Sequence, residues 1–152
     1  NSTNWLYQCW GIMTVINMDS LTGHNIVDTE NRDEMMSDLA DLHARTPMRT
    51  HTVGGNRHIL MMFETAAKFN CDMIVMYDDI GCKGMAGCQG LLEEEFRKHP
   101  EFHIMWMPHA LMDCRTVPTA EARKVVNDYM TTVLHEEPVD PSLVDFDDSE
   151  GW

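Results

Sequence analysis

The 152-residue sequence has no apolar run approaching the roughly 18 residues that a membrane-crossing helix requires, which excludes a helical span. Basic residues are scarce: 11 Lys and Arg stand against 25 Asp and Glu, leaving a formal net charge of −14. Binding nucleic acid needs a concentrated basic surface to neutralise phosphates, so that class of partner is excluded. There is no GxGxxG, Walker loop, GxSxG or Ser-His-Asp order, which removes support for nucleotide binding and serine hydrolysis. HExxH is missing as well, and His99 and His103 are separated by Pro100. The first twenty residues hold no Lys or Arg and no clean apolar core before a small-residue cleavage site, so no secretory signal is visible. Five cysteines form an odd set without the dense spacing of a secreted disulfide scaffold. Reduced thiols in a cytoplasmic protein are the expectation. The chain begins with Asn1 and not Met, which points to a processed or excised form.

The composition that is present describes a folded domain. Hydrophobic residues make up 43% of a chain long enough to bury roughly two thirds of its unfolded surface. The negative charge is uneven: residues 1–44 carry a net −6, residues 136–152 a net −7, and residues 45–135 only −1. The middle of the chain can therefore receive an anion. Fourteen methionines might suggest copper, but Met61, Met62, Met73, Met76, Met105 and Met107 fall at expected core positions, where adaptable packing accounts for them.

Hydrophobic periodicity gives the order of elements. Ile59, Leu60, Phe63, Ala66 and Ala67 recur at helical spacing, with Asn70 as terminator. Met73 to Tyr77 is an unbroken apolar run between aspartates and reads as a strand buried on both faces. Leu91, Leu92 and Phe96 belong to an amphipathic helix that follows the glycine-rich stretch from Gly81 to Gly90 and ends before Pro100. His103 to Met107 is a second strand, and Thr119 caps a helix that runs to about His135. Upstream, Asn31 and Glu34 have the spacing of a capping box for a helix from Glu30 to Ala44. Residues 4–27 are compatible with helix or strand. The right-handed crossover rule turns this order into two adjacent parallel strands flanked by helices. The expected fold class is α/β, a three-layer αβα arrangement with a flavodoxin-like or Rossmann-like parallel sheet, occupying residues 1–135 as a single domain. The acidic tail, residues 136–152, is either extended and solvated or a docking arm anchored by Leu143, Val144, Phe146 and Trp152.

Open parallel sheets bind ligands beyond the carboxyl ends of their strands. Cys82 lies there, just before a helix N-terminus whose backbone N–H groups would stabilise a thiolate or a bound anion. It is a candidate metal ligand or reactive thiol, against the simpler reading of a small residue in a tight turn. Cys114 lies in the second loop and is a weaker candidate; so is Cys88, for which a core thiol is the simpler reading. Lys83, Gly84, His109 and Arg115 are candidate contacts to an anionic substrate. Cys9 and Cys71 are read as structural.

From Asp72 to Arg123 the sequence resembles the C-terminal region of subunits of the 2-hydroxyacyl-CoA dehydratase and benzoyl-CoA reductase family, of the 2-hydroxyglutaryl-CoA dehydratase type. The resemblance rests on Cys71-Asp72-Met73-Ile74-Val75, where the family usually has Ala-Asp-Gly-Val-Ile, and on Gly81-Cys82-Lys83 before a glycine-bearing helix start. Asp113-Cys114-Arg115 follows where the family commonly reads Asp-Pro-Arg, and Glu121 and Arg123 resemble its Ser-x-x-Gln-x-x-x-Arg stretch. With residues 39–70 fitting loosely, about two thirds of the chain is covered. The resemblance implies a 4Fe-4S cluster held by three cysteines, the last at the position of Cys82 and the other two in preceding domains. It also implies a homologous dehydratase subunit, an ATP-hydrolysing iron–sulfur activator and an acyl-CoA substrate as partners. The chemistry is one-electron reduction of the thioester carbonyl to a ketyl, which lets hydroxide leave the α-carbon and acidifies the β-hydrogen.

The leading expectation is a cluster-proximal domain of such a lyase, inactive alone. Benzoyl-CoA reductase chemistry is a related possibility. A different class is a non-catalytic binding or assembly module that docks a partner through its acidic tail. Thiol redox chemistry at Cys82 has less support, since no resolving cysteine is suitably spaced.

Overall fold

A computed structural model describes residues 2–17, 26–44, 57–110, 113 and 115–146. Its elements are α1 (Ser2–Trp10), α2 (Arg32–Ala44), α3 (Arg57–Lys68), β1 (Met73–Asp79), α4 (Lys83–Phe96), β2 (His103–His109), α5 (Thr119–Thr132) and a short 3-10 helix, Pro141–Leu143. The protein is a mixed α/β chain. Among the described residues no helix is long and apolar enough to cross a membrane. Residues 1–135, expected as one domain, divide between two compact units: Asn1–Thr14 with Asp72–Trp152, and Val15–Cys71.

In the second unit, Asn31 caps α2 by accepting from the N–H groups of Asp33 (3.0 Å) and Glu34 (3.4 Å), as its spacing with Glu34 anticipates. Asp28 organises the approach, accepting from the N–H of Glu30 at 2.8 Å. Helix α3 buries Ile59, Met62, Phe63 and Ala66, spaced i, i+3, i+4 and i+7. Leu60 and Ala67, expected on that stripe, are exposed instead, because Met62 takes the inward position. Asn70 ends the helix with φ of 50°, and the Cys71 N–H closes back onto the Ala66 carbonyl at 2.9 Å.

The first unit is built on β1 and β2, which pair in parallel with Met73 beside His103 and Asp79 beside His109. Two hydrogen bonds set the direction of every other: His103 N–H donates to Asp72 O (3.0 Å), and Ile80 N–H donates to His109 O (3.1 Å). In a parallel ladder this aims the backbone groups of His103, Met105, Met107 and His109 at β1, and those of Ile104, Trp106 and Pro108 away from it. Pro108, which has no N–H, thus costs the ladder nothing.

The expectation that β1 is buried on both faces is corrected. Ile74 and Met76 are buried, but Val75 and Tyr77 are 37% and 56% exposed. Helices α1 and α5 cover only the β2 side of that face, where Met105 and Met107 enter a core with Trp5, Cys9, Trp10, Val126 and Met130. On the opposite face Phe96 of α4 packs against Trp106, ring centroids 5.9 Å apart. The glycine-rich stretch is mostly helix, since α4 begins at Lys83 and contains Gly84, Gly87 and Gly90. Helix α5 starts at Thr119 with Pro118 at the cap position and no side-chain cap, so Thr119 is its first residue and not its cap.

Of the ambiguous residues 4–27, the first seven belong to helix α1, residues 11–17 form neither helix nor strand, and residues 18–25 lie outside the described residues. The helix stops at Gly11, whose φ of +71° suits a residue without Cβ, and the Gly11 and Ile12 N–H groups close onto Tyr7 O (2.9 Å) and Leu6 O (3.1 Å). As far as Phe146 the tail lies across this helix, held at a few points while most of its residues are exposed. Val139 N–H donates to Cys9 O (2.8 Å), Trp5 Nε1 to Leu143 O (2.8 Å), and Leu143 and Val144 flank the core. Trp152 lies outside the described residues. Asn127 ties both ends of the chain to α5: its Oδ1 accepts from Trp10 Nε1 (2.8 Å) and its Nδ2 donates to Val144 O (3.0 Å). Arg123, 8% exposed, stacks between the rings of Trp5 and Phe146 at 5.2 and 5.4 Å and donates from Nη1 to Phe146 O at 2.6 Å.

Two outcomes are expected. Asn127→Ala strands a buried Trp10 N–H and the Val144 carbonyl, so urea denaturation should read a loss of about 2–4 kcal/mol, on the usual cost of unpaired buried groups. Burial, followed by the nearby Asp140 charge, pushes the Cys9 thiol above its ordinary range. Removing residues 137–152 should make Cys9 react with a thiol reagent that leaves it untouched in the full chain.

Candidate functional site

The parallel register brings Asp79 and His109 side by side at the carboxyl edge of the sheet. Beyond it, a tight turn starts α4. Asp79 organises this turn twice: its Oδ1 accepts from Gly81 N–H (3.1 Å) and its carbonyl from Cys82 N–H (2.8 Å). Cys82 takes the cap position in an extended conformation (φ −96°, ψ 97°), and its side chain makes no capping bond. The half-buried thiol is thus uncommitted to the helix that follows. Lys83 and Gly84 begin that helix and are exposed. His109 is half-buried and packs its ring on Tyr77, centroids 5.3 Å apart. Cys82 and His109 accordingly share one edge of the sheet, as the topology required.

The other candidates lie apart from this pair or are already engaged. Cys88 is six residues from Cys82 along α4, which rotates it about 120° away and displaces it by about 9 Å along the axis. It is half-buried, and no helical geometry turns it toward Cys82. Cys114 lies outside the described residues. Arg115 is exposed and held by its own neighbour: Nε and Nη2 each donate to an Asp113 carboxylate oxygen at 2.9 Å, and its N–H donates to Asp113 Oδ1 at 3.1 Å. An incoming anion would have to compete with that bidentate pair.

Among the described residues no three His, Cys, Asp or Glu side chains converge as a metal site would need. The donor set around Cys82 fits one ligand of a shared cluster and does not fit a complete site. Sequence reading missed the role of Arg123, buried in a stack with Trp5 and Phe146. Partners 118 and 23 residues distant leave no local signal for it.

Comparison of the chain with protein-family models, with curated proteins and with solved structures finds no match in any of the three. Its class is therefore defined by its own architecture: a mixed α/β protein with a two-stranded parallel sheet among the described residues.

One titration tests the geometry of the edge. The Arg115 side chain, then its N–H, holds the Asp113 carboxyl below the ordinary carboxylate range. A depressed carboxylate contributes stability fully above its unfolded value and loses it as pH falls through the folded one. Carbon-detected NMR should find Asp113 titrating low in the wild type, and Arg115→Ala should return it upward toward the ordinary range.

Proposed function

We propose that this chain is the C-terminal α/β domain of a subunit of the 2-hydroxyacyl-CoA dehydratase type, a lyase component, with Cys82 as one thiolate ligand of a 4Fe-4S cluster. In this reading the unit has the three-layer, flavodoxin-like arrangement, with α1 and α5 on one face of the sheet and α4 on the other. The observation that carries the proposal is Cys82 itself: a thiol at the carboxyl edge of a parallel strand, at the cap of α4, without a capping bond of its own. The backbone N–H groups of the first turn of α4 would favour negative charge on a ligand bound there. Among the described residues no further donors converge on Cys82, so in this reading the remaining cluster ligands come from other domains. Lys83 stands ready for an anionic thioester or phosphate, with His109 beside the site; Arg115 can take part only by exchanging Asp113. The homologous subunit and the ATP-dependent activator belong to the same proposal.

Of the anchors of the assembly-module alternative, Leu143 and Val144 pack against the chain's own core, Phe146 is half exposed and Trp152 lies outside the described residues. Anaerobic purification of the intact subunit assembly, with iron and acid-labile sulfide measured for wild type and Cys82→Ala, tests the reading. The expected result is stoichiometric iron in the wild type and a loss of at least half in the variant. Equal iron in both, or none in either, overturns it.

A further inference from the structure

The two edges of the β1–β2 sheet differ. On β2, Pro108 has no N–H to offer outward, and the Tyr129 hydroxyl of α5 lies close to the backbone N–H of Ile104. That edge is interrupted at Pro108 and crowded by α5 at Ile104, devices by which natural sheets discourage a further strand. On β1 the ladder directs the N–H and C=O of Met73, Val75, Tyr77 and Asp79 away from β2. This seven-residue strand has no proline, and its Val75 and Tyr77 side chains are exposed beside outward backbone groups that, apart from the Asp79 carbonyl held by the Cys82 N–H, have no hydrogen-bond partner among the described residues. A long apolar edge of this kind is a template for another strand.

Charge selects the occupant. Acids stand at both ends of the edge: Asp72 before β1, Asp78 and Asp79 at its close. A second copy paired antiparallel through the same outward groups brings these acids together. Centred on Val75, the register sets Asp72 of one copy opposite Asp78 of the other; centred on Met76, it sets Asp72 diagonal to Asp78. Like charges in facing positions oppose such pairing.

We infer that the outer edge of β1 accepts an extended segment of a protein partner, apolar at alternate positions and flanked by Lys or Arg, as an added strand. This goes beyond the cluster reading and does not rest on it. The apolar positions would meet Val75 and Tyr77, and the basic flanks would meet Asp72 at one end and Asp78 with Asp79 at the other.

The probe is a synthetic heptapeptide with lysine at both ends and alternating valine and threonine between, beside a control carrying glutamate at its ends. Amide hydrogen exchange of the full chain should show protection at Val75, Tyr77 and Asp79 on adding the lysine peptide, with Trp106 unchanged. The lysine peptide should bind at least tenfold more tightly than the glutamate control, and the preference should shrink as salt is raised. Tyr77→Pro removes an outward N–H while leaving the β1–β2 bonds, so it should abolish binding with the circular dichroism spectrum retained. A peptide N-methylated along its pairing edge should also fail to bind, whether or not that variant folds. The inference is overturned by unchanged exchange at those amides, or by equal binding of the N-methylated peptide. It is also overturned by protection already complete in dilute protein alone, which would mean that the chain fills its own edge. Protection that rises with protein concentration without peptide would assign the edge to a second copy instead.

Discussion

Asn127 makes two hydrogen bonds in opposite directions, to the Trp10 indole and to the Val144 carbonyl, and through them joins three stretches of chain that are remote in sequence. The need for such a joint comes from the size of the sheet. Two parallel strands present too little surface to cover a core by themselves, so the first unit recruits α1 from the N-terminus and the tail from the C-terminus. Arg123 completes the closure. Its charge is tolerated at 8% exposure because two aromatic rings stack on the guanidinium and the Phe146 carbonyl accepts from it.

The same closure explains the asymmetry of the sheet. Helices α1 and α5 lie over β2, and the Tyr129 hydroxyl reaches its outer edge. β1 is buried at Ile74 and Met76 but exposed at Val75 and Tyr77, and among the described residues the Cys82 N–H on the Asp79 carbonyl is the one bond given to its outward backbone groups. The carboxyl ends of both strands carry Cys82 and His109, both half-buried, outside the core that α1 and α5 form with β2.

Much of the local structure was legible. Asn31 as cap, Asn70 as terminator and the two strands follow from short-range rules about side-chain acceptors, left-handed backbone and apolar runs. The meeting of Cys82 and His109 at one edge was legible too, because strands joined through a helix run parallel and their ends fall together. The burial of β1 was misjudged because an apolar run does not say how far the helices extend over it. Arg115 looked available as an anion contact, but Asp113, two residues away, already occupies its guanidinium. The six-residue spacing of Cys82 and Cys88 matches neither a CxxC pair nor a zinc knuckle, and α4, beginning at Lys83, turns the two apart.

The sequence by itself determined the α/β order, the position of Cys82 at a helix start and the acidity of both chain ends, since each depends on residues within a few positions of one another. Tertiary structure decided that α1 and the tail as far as Phe146 pack together beside the sheet, that Arg123 is a packed residue, and which edge of the sheet stays open. Those outcomes depend on contacts between residues more than a hundred positions apart and on the direction in which a ladder's hydrogen bonds point. Neither is written in any local stretch of chain.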